Sequence, residues 1–202
     1  MTSVVPQKNV TDVDPRIIRT RELVISATFD LLVEQGFERT TIEAIAERSG
    51  VARSTIYRNW PNRAELFISA FEIMCSFTDN PDLGSLEDEL RALGAELVSG
   101  LSDENWGQVL PSLIGSAAHD ENLKSAQQEF SRQRRELVSE VFKRAIGRGE
   151  IAETFDPAEL AEQFAAGFFF RHLMGFEPLD DDFVERQVMF VLSLTDHPGT
   201  KI

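Results

Sequence analysis

With a single cysteine, Cys75, in 202 residues, the chain cannot close an intramolecular disulfide; set among apolar neighbours in a helical pattern, Cys75 reads as a small core hydrophobe. Three scattered histidines beside that one cysteine offer no spacing with which to ligate a metal ion. There is no glycine-rich phosphate loop, no nucleophile elbow and no Cys–His signature. Asp180, Asp181 and Asp182 are neighbours at a helix start, where the macrodipole favours acids, and are not paired across a cleft. Neither enzymatic activity nor a cofactor is expected. No apolar run reaches the length of a membrane span, and the polar start MTSVVPQKNVTDVD is not a signal peptide, so the expected compartment is the cytoplasm. Strand-like alternation and internal repeats are missing too, which leaves an all-α chain of about nine helices.

What the chain does have is a stretch from Thr40 to Arg63, TTIEAIAERSGVARSTIYRNWPNR, that reads as a helix, a tight turn and a second helix. Thr40 and Glu43 have capping-box spacing, and Ile42, Ile45 and Ala46 face inward. Gly50 supplies the left-handed conformation that stops the first helix. The second helix runs from about Arg53 to Trp60, with Ile56 and Trp60 inward and Arg53, Ser54, Thr55 and Asn59 outside, before Pro61 ends it. Small Ala46 at a close crossing, Gly50 at the turn and Ile56 in the shared core form the helix-turn-helix pattern. A preceding helix with Ile25, Thr28, Phe29 and Leu32 on one face roofs this unit and closes at Gly36, while Arg16, Arg19 and Arg21 near its start either reach phosphate or a minor groove or serve as solvated charge.

The string TIEAIAERSGVARSTIYRNWPNRAELF resembles the N-terminal domain of TetR/AcrR-type transcriptional regulators, over roughly residues 16 to 75. That resemblance implies a three-helix DNA-binding head, a homodimer, and a C-terminal body whose small-molecule ligand changes DNA affinity. It further implies that Thr41, Tyr57 and Arg63 meet phosphates, whereas Arg53, Thr55 and Asn59, with Ser54 beside them, occupy positions that reach base edges. The chain departs from the family at Ala52, usually Ser or Thr, at Arg63, usually Lys, and at Asn59, often Tyr or His.

Charge is distributed to suit such a head. The net charge is -14, yet residues 1–67 carry nine Lys and Arg against nine Asp and Glu, so the excess acid falls in the rest of the chain, 11 basic against 25 acidic. An acidic body repels DNA and leaves the neutral head as the docking surface; it also serves solubility. The reading is of a disordered arm (1–14), a helix-turn-helix domain (15–61) and a ligand-binding and dimerisation domain (62–202), with a hinge in the turn-rich DNPDLGS segment, Asp79–Ser85.

In the body, Phe71, Met74, Phe77, Trp106, Phe130 and Phe168 are candidates to line an apolar cavity, with His119, Arg134 and His172 as polar anchors. The last two helices, FAAGFFF and FVERQVMFVLSL, are apolar on more than one face. Either they form a wholly internal core, or Phe164, Phe168, Val184, Val188 and Val191 meet a second copy of the chain, with Ala165, Ala166 and Gly167 allowing close helix approach. The expectation is a ligand-responsive repressor that binds a palindromic operator as a homodimer. The alternative is an all-α small-molecule-binding or adaptor protein whose head no longer reads DNA specifically.

Overall fold

The computed structural model describes residues 15–74, 82–102 and 106–195, without the side chains of Met74, Trp106 and Gln108. The expected arm (1–14), Cys75, Phe77 and the first residues of the expected hinge lie outside these. Among the described residues the chain is all-α, with nine α-helices and one π-helical turn. Two compact units divide between Ala70 and Phe71.

The first unit contains α1 (Pro15–Arg39), α2 (Ile42–Ser49), α3 (Arg53–Asn59) and most of α4 (Arg63–Met74). Its core takes Val24, Ile25, Phe29 and Leu32 from α1, Ile42 and Ile45 from α2, Ile56 and Trp60 around α3, and Leu66 and Phe67 from α4, all buried. The rings of Phe37 and Phe67 meet edge to face at 4.8 Å. Gly36, with φ 74° and ψ 177°, breaks the helical path of α1 where a stop was expected. That break shifts the next cap by one residue. Thr40 is fully buried and its hydroxyl donates to the Gly36 carbonyl at 2.8 Å, so it closes α1, and Thr41 caps α2 by accepting from Ala44 N–H at 3.2 Å. The capping box expected from Thr40 and Glu43 is therefore not formed.

The second unit holds α5 (Leu86–Ser102), α6 (Trp106–Ala117), α7 (Glu121–Arg148), α8 (Pro157–Phe170), the π turn Arg171–Gly175 and α9 (Asp181–Thr195). Three of its helix starts carry an aspartate cap. Asp120 accepts from the N–H groups of Asn122 and Leu123, Asp156 from Ala158, and Asp180 from Phe183. Gly149, left-handed at φ 76°, ends α7. α8 packs on α7 and α9, and α5 lies against α6, α7 and α9. Gly94 is what lets α5 approach α9, since a Cβ there would stand 2.6 Å from Val184 Cγ1. α7 buries Val138, Val141, Phe142 and Ala145 and leaves Leu137 exposed.

One charge is deep inside this unit. The Glu89 side chain is 1% exposed and lies between two arginines of α7: Arg144, which donates from Nε at 3.0 Å and from Nη2, and Arg148, whose Nη1 is 2.9 Å from Oε1. The second contact is ionic, being too poorly aligned for a hydrogen bond. Arg148 also pairs with Asp82 and Glu150, and Glu150 Oε2 accepts the Leu86 N–H at 2.6 Å, so the start of α5 is tied to the end of α7.

Candidate nucleic-acid interface

α2 packs on α1 and α3 on α2, with Ile45 and Ile56 buried between them and the polar residues turned outward. Gly50, at φ 69°, makes the turn, and nothing lies within 4 Å of where its Cβ would be; backbone conformation, and not lack of space, calls for glycine here. Ala52 stands at the start of α3 without a side-chain cap, as its methyl group dictates. Across the top, Arg48 grips Glu34 of α1 with two bonds, 2.9 and 2.6 Å, and its guanidinium holds the Glu34 carboxyl below the usual carboxylate range.

The outward residues fall into distinct states. Arg53, Ser54, Tyr57 and Arg58 are exposed, while Thr41, Thr55, Asn59 and Arg63 are half-buried. Arg53 leads α3 and donates from Nη1 to Glu43 Oε1 at 3.1 Å. Asn59 donates one Nδ2 hydrogen to the Thr55 carbonyl at 2.8 Å, so its amide keeps the other hydrogen and the oxygen for an outside partner. The Arg63 guanidinium stacks 4.4 Å from the centre of the Phe37 ring and 5.5 Å from that of Phe67, which fixes a long cation at the start of α4. Arg21 lies 5.2 Å over the Trp60 ring. Asn62 caps α4, accepting from Glu65 N–H at 2.9 Å and donating to the Glu65 carboxylate at 2.8 Å. The result is a short exposed helix, with cations at its first turn and just beyond its end, on a packed platform.

Residues 24–70 match the family model for bacterial regulatory proteins of the tetR family, and residues 80–191 match that for the tetracyclin repressor-like C-terminal domain. The chain belongs to the TetR family. An uncharacterized HTH-type transcriptional regulator of Bacillus subtilis, YdeS, is 31% identical over 87% of this chain and 89% of its own. The DNA-binding transcriptional repressor TetR of Mycobacteroides abscessus is 28% identical over 88% and 94%. Among solved structures, the TetR family transcription regulator SCO0332 superposes with a TM-score of 0.71 at 31% identity, covering 87% of this chain and 97% of that one. FadR of Bacillus subtilis, crystallised with stearoyl-CoA, shares the fold at 20% identity, with a TM-score of 0.68 and coverage of 85% and 97%. The protein is thus a DNA-binding transcriptional regulator and not an enzyme.

In the TetR-family body the candidate ligand residues separate. Phe130 and Arg134, one turn apart on α7, are brought together: the guanidinium lies 5.0 Å over the ring, and Nη2 is 3.4 Å from the Glu72 carbonyl in the last turn of α4. Phe71 is buried. Phe168 belongs to a different cluster, packed at 5.4 Å on Phe164 and 5.1 Å on Phe183. His119 is exposed, which removes it as a pocket anchor, and His172 is half-buried with Nε2 3.3 Å from the Gly107 carbonyl. The side chains of Met74 and Trp106 lie outside the described residues.

The residues expected at a subunit interface need correction. Phe164, Phe168, Val184, Val188 and Val191 are all buried inside one chain, because these inner faces of α8 and α9 pack on α5 and α7. Gly167 serves the same internal contact: Gln187 of α9 lies across it, its Cδ 2.6 Å from where a Cβ would be, and Nε2 donates to the Phe164 carbonyl at 3.2 Å. The opposite faces carry the side chains a partner could touch. Phe169, Phe170, Met174, Phe176, Met189 and Phe190 are exposed, Phe170 to 69% and Phe176 to 84%. Sequence reasoning did not single these out, although large unbranched and aromatic side chains outside with valines inside would have been the signal.

Proposed function

We propose that this TetR-family regulator is a repressor that binds a palindromic operator as a homodimer and responds to a small-molecule effector held in the body. The observation that carries the DNA part is α3 itself, whose Ile56 side locks into the head while Arg53, Ser54 and Tyr57 are exposed on the other. Phosphate contacts are assigned to Thr41, Tyr57 and Arg63, and base contacts to Arg53, Ser54, Thr55 and Asn59. The exposed apolar side chains at the end of α8, in the π turn and on α9 support a second copy as partner, since a patch of this kind on a regulator's body calls for cover. An effector is supported more generally: the FadR neighbour takes stearoyl-CoA within the same architecture. Arg134, seated on Phe130 and bonded to the end of α4, is the polar group that would feel it, and α4 runs unbroken from Arg63 to Met74. The cytoplasm is the compartment this activity requires; no helix among the described residues is long and apolar enough to cross a membrane.

Selection of bound sequences from a random duplex pool tests the reading. A consensus with two inverted half-sites is expected, spaced about 34 to 36 Å as two-fold related α3 helices demand. Absence of enrichment favours the adaptor alternative.

A further inference from the structure

We propose that Glu43 is a positioning residue for base recognition: it holds the Arg53 side chain in the one arrangement with which Arg53 reads the operator. This rests on the assignment of α3 as the reading helix. Glu43 is the second residue of α2 and Arg53 the first of α3, so their bond, Nη1 to Oε1 at 3.1 Å, spans the turn at Gly50 and joins the two helices on their outer side. Both side chains are more than three-fifths exposed, which puts the pair on the surface and not in the core. Its own backbone N–H, then Arg53 and the Thr41 hydroxyl, hold the Glu43 carboxyl below the usual carboxylate range. Among the described residues Arg53 makes this one bond, and the Nε and Nη2 hydrogens remain for a guanine edge.

An exposed ion pair of this kind adds little to fold stability, so stability alone does not account for its placement. Its effect on binding is larger. A long side chain that is already ordered loses less freedom when it meets a base, and ordering one such side chain corresponds to about two- to tenfold in affinity. On a mismatched sequence, an untethered arginine would swing to a phosphate; Glu43 opposes that, and its charge repels the backbone. Glu43 therefore raises the ratio of matched to mismatched binding while lowering affinity for duplex in general.

The test uses the full chain with Glu43→Ala, Glu43→Gln, Arg53→Ala and the Glu43→Ala/Arg53→Ala double variant, each taken through the same duplex selection and then titrated against consensus and singly mismatched duplexes. Arg53→Ala identifies the base pairs that Arg53 reads. Glu43→Ala is expected to lose preference at those same base pairs by about two- to tenfold, to bind random duplex more tightly, and to add nothing to the loss in the double variant. Glu43→Gln, which keeps an oxygen acceptor in place, is expected to retain more of the preference than Glu43→Ala. Wild-type preference in Glu43→Ala, a loss at other base pairs, or additive losses in the double variant would each overturn the proposal. A wild-type chain that enriches no sequence would instead overturn the assignment of α3 as a reading helix.

Discussion

Removing Arg144 is expected to damage the body more than removing the acid it serves. In Arg144→Ala, Glu89 stays buried, loses the donors Nε and Nη2, and keeps only the poorly aligned Arg148 Nη1 at 2.9 Å. Breaking a buried pair from one side costs about 3 to 5 kcal/mol. Arg148 persists and both arginines are 24% exposed, so some water reaches the site and the lower end, about 3 kcal/mol, applies. For a chain of this length that corresponds to a fall in Tm of about 6 to 12 °C. Glu89→Leu removes the charge and leaves an apolar side chain on the buried face of α5, while Arg148 keeps Asp82 and Glu150 and the part-exposed Arg144 turns outward; a change within about 1 kcal/mol of wild type is expected. The double variant should match Glu89→Leu alone. Urea unfolding at one fixed protein concentration measures all three, since self-association would otherwise move the midpoint. If Glu89→Leu proves more destabilising than Arg144→Ala, the carboxylate contributes net stability and the reasoning from desolvation fails.

Four further outcomes are expected. Because Arg48 lowers the Glu34 pKa in the folded head, the stability from this pair is present above pH 4.5 and is lost as pH falls from there through the lowered value; Glu34→Gln should flatten that part of an acid-unfolding curve followed by circular dichroism. Gly94→Ala should destabilise more than Gly167→Ala, since the stiff Val184 cannot yield whereas the Gln187 side chain can swing away at the loss of one hydrogen bond, about 1 kcal/mol; thermal melts compare them. Arg63→Ala should weaken binding to all duplexes alike and lower the salt slope by about 1, with a small loss of head stability from the vacated Phe37 face; an unchanged slope would remove Arg63 from the phosphate contacts. Phe170→Glu with Phe190→Glu should give a folded monomer by sedimentation, and a dimer of wild-type strength would move the interface elsewhere.

The helical fold and the stops at Gly36 and Gly50 were legible because each depends on residues a turn or less away. Two adjacent threonines were not separable in the same way. Thr40 and Thr41 have the same chemistry, and only the chain reversal at Gly36 decides that one closes α1 and the other opens α2. In the long α7 the apolar positions straddle two faces, and packing buries Val138 while leaving the adjacent Leu137 outside. The double-faced pattern of α8 and α9 announced two surfaces to cover, but which is inner depends on α5, whose Gly94 receives Val184 at a distance no local rule encodes. Glu43 was legible only as a helix-start acid; its bond to a residue ten positions on exists because the turn folds α3 back beside α2.

The separation of the apolar patch from α3 has a genetic consequence. The patch lies at the end of α8, in and just after the π turn and on α9 of the second unit, and α3 lies in the first, so a lesion in one is expected to spare the other. If the proposed homodimer forms, a cell carrying a wild-type allele beside one encoding Arg53→Ala would pair the two products at random, and at equal expression about three dimers in four would contain a defective head. Such an allele would be dominant over wild type, whereas one encoding a disrupted patch would be recessive, its product unable to enter a dimer at all.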